Sequence, residues 1–348
     1  MTVQAPPAPT VRAETPGLWE RANKATLAMA GVTVALFAVF GIASDNFLTF
    51  DNMSNLATQV AITLIVAVAM TFVITTGQID LSVGSTVAFV AVLTAEMLQA
   101  GWDSSLVIVA ALLAGLFWGG VNGYLSAYHR IPPFIVTLAT MSVIRGLAQL
   151  WTEGFSVPID ARLYVAKIGR AEFLGFSALA WIALGTVVIG AVLLAKTRFG
   201  NYVNGIGSQE ESVRRAGVNT NRIKMVALML TGLAAGVAGL LTAARLGSGS
   251  ANSAQAFELT VIAAVVLGGT DLFGGRGTMT GTVIGALITG MIANGLTLLG
   301  VSPFLTPIVT GLVLLAAIWL NLRGHGIAEL GAHLLGRGRG RDRAKEPA

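Results

Sequence analysis

Apolar runs recur along this chain, separated by short polar or glycine-rich breaks. Crossing a bilayer takes about 20 predominantly apolar residues. That length predicts spans near 25–43, 56–76, 84–100, 105–127, 134–152, 177–195, 225–244, 258–270, 278–299 and 303–321. The eighth is short for a full crossing and the third begins in a Gly/Ser-rich turn, so the segments near 77–85 and 258–277 could be broken or re-entrant. The expected fold is an all-α polytopic transmembrane helix bundle of about ten spans. Residues 1–24 open Pro-rich and without apolar period, which predicts a disordered tail. The first apolar run is long enough to be retained as an anchor rather than cleaved. The membrane domain would then cover 25–322 and a basic tail 323–348.

Composition sharpens the membrane reading. Hydrophobic residues make up 54% of the 348 and charged ones 11%, with a mean hydropathy of +0.76. A soluble protein of this length carries far more charge. The 42 glycines include i,i+4 repeats at Gly115, Gly119 and Gly123, at Gly232 and Gly236, and at Gly281 and Gly285, the spacing that lets helix backbones approach closely in lipid.

Basic residues set the topology. Of 22 Lys and Arg, Arg145 falls inside a span. With a cytoplasmic N-terminus and ten crossings, Arg162, Lys167, Arg170 and Arg245 lie outside and the remaining 17 inside. The positive-inside rule thus predicts both termini in the cytoplasm. The net charge of +5 is explained by loops and tail, with no nucleic acid required.

The largest cytoplasmic connection, 196–224, contains GSQEESVRRAG at 207–217. Ser208 and Glu211 have capping-box spacing and Gly217 is a left-handed stop. Glu210 with Arg214, and Glu211 with Arg215, stand at i,i+4 in the order the helix dipole favours. A cap and two surface pairs fall well short of the roughly 4 kcal/mol that nucleation costs. Such a helix needs an outside hold, from the rest of the chain, lipid headgroups or another protein. Its mixed charge argues against a pure anionic-lipid patch and for a docking element.

Charges inside spans are costly and mark either a pathway or a structural pair. Asp80 sits at the inner end of the second span, where it could cap the next helix; Glu96 lies near the outer end of the third, Arg145 well inside the fifth, and Glu258 at the start of the eighth. Asn122 and Asn294, each followed by Gly, need polar partners. Asp80, Asn122, Arg145, Glu258 and Asn294 are the candidates for a substrate pathway. Asp80-Leu81 and Asp271-Leu272 both stand in Gly-rich turns before a span, a weak hint of duplication.

Several chemistries are excluded. There are no cysteines, and the three histidines (His129, His325, His333) are far apart, so no metal site, no cofactor and no catalytic constellation is expected. GGTDLFGGRGT at 268–278 is glycine-rich, but no lysine follows a glycine anywhere, so the phosphate loop G-x-x-x-x-G-K-S/T is absent and the chain does not itself hydrolyse ATP.

ITTGQIDLSVGS at 74–85, NGYLSAYHRIPPFIVTLATMSVIRGLA at 122–148, TRFGNYVNGIGSQEESVRRAGVN at 197–219, ARLGSGS at 244–250, FELTVIAAVVLGGTDLFGGRGT at 257–278 and NGLTLLGVSPF at 294–304 resemble the monosaccharide (ribose/xylose/galactoside-type) permease subunits of bacterial ABC importers. The resemblance runs in order from about 45 to 321. It implies a non-catalytic inner-membrane subunit that works with a second permease subunit, identical or not, with a cytoplasmic ABC ATPase and with a periplasmic sugar-binding protein. Ser208 to Asn219 would be the coupling helix, with Ser208, Glu210, Glu211, Arg214, Arg215 and Gly217 at the ATPase contact. Gln78 and Thr260 depart from the family pattern. The alternatives are an ion-driven secondary transporter using Asp80, Glu96 and Glu258 as a relay, and an ABC permease for branched-chain amino acids.

Overall fold

The computed structural model describes residues 18–302 together with 304, 305, 307–309, 311, 312 and 315. Eleven helices are found among them: α1 Leu18–Ala43, α2 Phe50–Thr75, α3 Val83–Gln99, α4 Ser104–Ala127, α5 Pro133–Thr152, α6 Tyr164–Arg170, α7 Ala178–Lys196, α8 Arg198–Arg215, α9 Thr220–Leu246, α10 Phe257–Leu267 and α11 Met279–Leu298. Four two-residue strands form two small antiparallel ladders. β1 (Val157–Pro158) pairs with β4 (Ser248–Gly249), and β2 (Glu172–Phe173) pairs with β3 (Phe176–Ser177).

Nine predicted spans coincide with helices. The first helix starts at Leu18 rather than at 25, so the charged stretch containing Arg21 and Lys24 is already helical. The first part of the predicted tail, the predicted basic tail and most of the tenth span lie outside the described residues. Six helices (α2, α4, α5, α7, α9 and α11) are long and apolar enough to cross a membrane. The apolar part of α1 (Met29–Ala43), α3 and α10 are shorter. The protein is an all-α, polytopic membrane protein.

Packing follows the glycines. α2 and α9 form the centre, with 72% and 61% of their apolar windows buried against 22% for α4. Gly115, Gly119 and Gly123 of α4 meet the backbone of α9 at Gly232, Leu228 and Met225. Likewise Gly281 and Gly285 of α11 rest on the carbonyls of Gly268 and Ala264. Each pair of helices touches main chain to main chain, which maximises dispersion where no hydrophobic driving force between helices exists.

The connecting segments sort into two ends. At one, the amide of Gly275 donates to Thr75 O at 2.8 Å, and Thr137 Oγ1 to Ile79 O at 3.3 Å. At the other, β1 meets β4, Ile159 N donates to Gly247 O at 2.8 Å, and Ser54 Oγ donates to Gly175 O at 2.9 Å. Segments predicted on the same side of the membrane are therefore gathered at the same end of the bundle.

Candidate functional site

The first site-bearing element is the break between α2 and α3. Gly77, at φ +76°, ends the α2 turn in the left-handed region, and the chain stays non-helical to Ser82. Asp80 is buried there. Its carboxylate accepts from Ser82 N (2.9 Å), Ser82 Oγ (2.7 Å) and Thr231 Oγ1 (3.0 Å). Asn122 Nδ2 donates to Ser82 Oγ at 2.8 Å, and Thr140 Oγ1 to Asn122 Oδ1 at 2.7 Å. One network thus ties the break to α9, α4 and α5. Asp80 closes a turn on Ser82 rather than capping α3, whose cap residue Ser82 makes no side-chain cap bond. Thr231 is the twelfth of the 27 residues of α9, roughly 16 Å along it at 1.5 Å per residue. The break therefore re-enters the thickness of the bundle.

A second break lies opposite. From Gly249, which packs on Ala91 and Ala95 of α3, the chain descends to Ala254 and Glu258, which lie against Gly84 in the first turn of α3. A Cβ at Gly84 would stand 2.9 Å from Ala254 O and closer still to a Glu258 carboxylate oxygen, so only glycine fits. Arg145 holds this descent. Its Nη1 donates to Ala251 O (2.6 Å) and Ser253 O (2.7 Å), and its Nη2 to Ala254 O (3.3 Å). The segment needs that hold, because Ala254 (φ 52°) and Ala256 (φ 56°) are left-handed without being glycine, each costing about 1 kcal/mol or more. Glu258 feels the Arg145 charge. The only ion pairs in contact among the described residues lie elsewhere.

Asn294 is not gathered into this region. It and Asn52 exchange both amide bonds, each at 3.0 Å, and Asn52 Nδ2 also donates to Phe47 O at 2.8 Å. The pair pins α11 to α2. Asn294→Ala is expected to destabilise the folded chain by about 1 kcal/mol, and in a double-mutant cycle with Asn52→Ala the two losses should be far from additive; additive losses in thermal melts would remove the pairing. Glu96 lies half-buried in the last turns of α3.

The charged helix differs from expectation. Within the range of α8 the chain breaks at Gln209, which is extended (φ −161°, ψ 86°), so a second short helix starts there and runs to Arg215. The expected short helix is present, one residue later than its predicted cap. Ser208 Oγ points to Gly275 O at 3.5 Å and makes no capping box. Gly207 fixes it there, since its Cα sits against Thr75 O and the backbone of Gly274 and Gly275 and leaves no freedom to form a cap. Glu210 turns from Arg214 to Lys224 and to Thr220 Oγ1 (2.9 Å). Partial burial raises the pKa of its carboxyl, but the bonds from Lys224 and Thr220 outweigh this and hold it below the usual range. Glu211 takes both Arg214 and Arg215, and those bonds, Arg214 first, hold its carboxyl below the usual range too. Gly217, at φ +83°, is the expected stop. Val218 N reaches Val213 O (3.4 Å) and Gly217 N reaches Arg214 O (3.0 Å), the paired bonds of a Schellman end. The outside hold that this helix requires therefore comes in part from its own chain, through Lys224, Thr220 and Gly275. None of these partners carries a local sequence signal.

A helix bundle with two non-helical breaks facing each other inside its thickness, and a charged elbow standing off one end, is the architecture of the membrane subunit of a transporter. The chain belongs to the family described as "Branched-chain amino acid transport system / permease component", which matches residues 52–318. It is 38% identical over 308 residues to the Escherichia coli K12 ribose import permease protein RbsC, covering 87% of this chain and 94% of that one. The Bacillus subtilis 168 protein of the same name is 42% identical over 287 residues (82% and 89%). The E. coli K12 L-arabinose transport system permease protein AraH is 39% identical over 287 residues (82% and 87%). No solved structure matches the chain.

Proposed function

We propose that this chain is the membrane-spanning subunit of a bacterial ABC importer for a monosaccharide or similar small polyol. It would cross the inner membrane ten times with both termini in the cytoplasm. The family description names branched-chain amino acids, but the relatives above are ribose and arabinose permeases, which favours a sugar. Family membership also weighs against an ion-driven carrier. ATP hydrolysis falls to a separate ATPase subunit, a periplasmic sugar-binding protein delivers the solute, and a second permease subunit completes the path.

The observation that carries the coupling role is the exposure of residues 211, 212 and 214–217 at the end of the bundle where Thr75, Gly207 and Gly275 meet. Glu210 turns to Lys224 and Thr220, and Ser208, though exposed, points its hydroxyl to Gly275 O, whereas Glu211, Arg214 and Arg215 face outward for the ATPase. The loop 196–224 is thus the coupling element. The double variant Glu211→Ala/Arg215→Ala is expected to insert normally and to lose about tenfold in ATPase attachment, the loss of one interface hot spot. Unchanged co-purification of the two subunits would argue against this role.

A further inference from the structure

The descent between β4 and α10 carries polar side chains where lipid cannot serve them. Backbone outside helices and closed barrels is found at membrane depth only where protein buries it or a water-filled cavity borders it. Ala251 is buried, yet Asn252 and Gln255 are exposed, and Gln255 immediately follows Ala254, which lies level with the first turn of α3. A neighbouring helix continues the pattern. Ser142, Arg145 and Gln149 of α5 stand at i, i+3 and i+7, one stripe of a helix, and Ser142 and Gln149 are exposed as well. Arg145, the middle member of the stripe, grips the carbonyls of Ala251, Ser253 and Ala254, so stripe and descent share a border.

We infer that Gln149, Asn252 and Gln255 form the solute-contacting wall of an aqueous lumen, and that this wall takes a neutral polyhydroxylated solute. Each primary amide offers donors and an acceptor, which suits hydroxyl groups and offers no net charge. Arg145, the cation that borders this wall among the described residues, has three of its five N–H groups committed to backbone carbonyls, which reduces its capacity for a carboxylate. Arg145 is therefore a positioning residue: it shapes the descent that presents Asn252 and Gln255. The inference rests on the importer reading for the identity of the solute, but the aqueous wall stands on geometry alone.

The absence of cysteine allows a direct test in the complete transporter, with ATPase and binding protein, reconstituted in vesicles. A membrane-impermeant methanethiosulfonate reacts with a thiolate in water and not with a thiol in hydrocarbon. In Gln255→Cys the thiol is expected to be modified at least about tenfold faster than in Val188→Cys, whose position is exposed on the apolar face of α7, and D-ribose should slow the reaction. In Gln255→Ala, and separately in Asn252→Ala, KM for D-ribose uptake should rise about fivefold, the loss of one neutral hydrogen bond. Equal labelling at 255 and 188, including a case in which a second copy of the chain covers the patch, would overturn the inference. So would unchanged KM in both alanine variants. Fast labelling at 255 without ATP-driven uptake of D-ribose or L-arabinose by the unsubstituted complex sinks the monosaccharide reading instead and sustains the wall.

Discussion

Gly119→Val is expected to remove most of the folded protein, while Gly120→Val, one residue away, is expected to leave it. A Cβ at Gly119 would stand 2.5 Å from Leu228 O and 3.0 Å from the Cα atoms of Met229 and Gly232. All three are main-chain atoms of α9, which cannot swing aside as a side-chain tip can. Gly115 and Gly123 press on the same helix, so α9 must separate from α4 along the whole seam. Overpacking of this kind costs about 1–3 kcal/mol. Displacing α9 also pulls Thr231 from Asp80, and a hydrogen bond to a charged group contributes about 1.5–3 kcal/mol more. Against a total stability of about 5–15 kcal/mol the sum is severe. At Gly120 a Cβ finds only Met229 Cγ, at 4.0 Å. Membrane yield and thermal melting in detergent decide the matter, and equal behaviour of the two variants would remove the close-approach argument.

Asp80→Leu should be comparably damaging, and Asp80→Asn mild. Leucine strands Ser82 N–H, the Ser82 hydroxyl and one bond of Thr231, all buried, at about 1–3 kcal/mol for each group left unpaired. Asparagine restores the network. Its oxygen still accepts from Ser82, and its amide donates to Thr231 Oγ1, whose hydrogen then goes wholly to Leu228 O, already 2.8 Å away. Asp80→Asn is therefore expected to melt within about 1 kcal/mol of the parent and to keep its transport rate. A well-folded asparagine variant that no longer transports would show instead that the carboxylate itself meets the solute.

Much of this was legible in the sequence, because lipid imposes a simple rule on length and polarity. Nine helices at predicted spans, the stop at Gly217 and the break at 77–85 follow from apolar run length, glycine and charge. The second break lies at 250–256, ahead of the segment 258–277 expected to be interrupted, where α10 is a continuous helix. What the sequence hides is how far the interruptions reach inward. The depth of Asp80 depends on its bond to Thr231, 151 positions away, and the descent at 250–256 reads locally as a Gly/Ser-rich loop. The capping box failed for a related reason. Ser208 and Glu211 have the right spacing, but Gly207 is wedged against the turns after α2 and α10, and that contact sets the local backbone. A Cβ on Gly274 would meet the backbone of Gly77, so the two Gly-rich turns lie against each other, another contact with no local sequence signal.

The wedge at Gly207 has a mechanical consequence. At Gly207 the elbow meets Thr75 O and the backbone of Gly274 and Gly275 with no side chain between them, and close-packed matter of this kind has low compressibility. A load applied to the exposed half of α8 finds no cushion in which to dissipate. It reaches the rigid rods on either side with almost no lost motion.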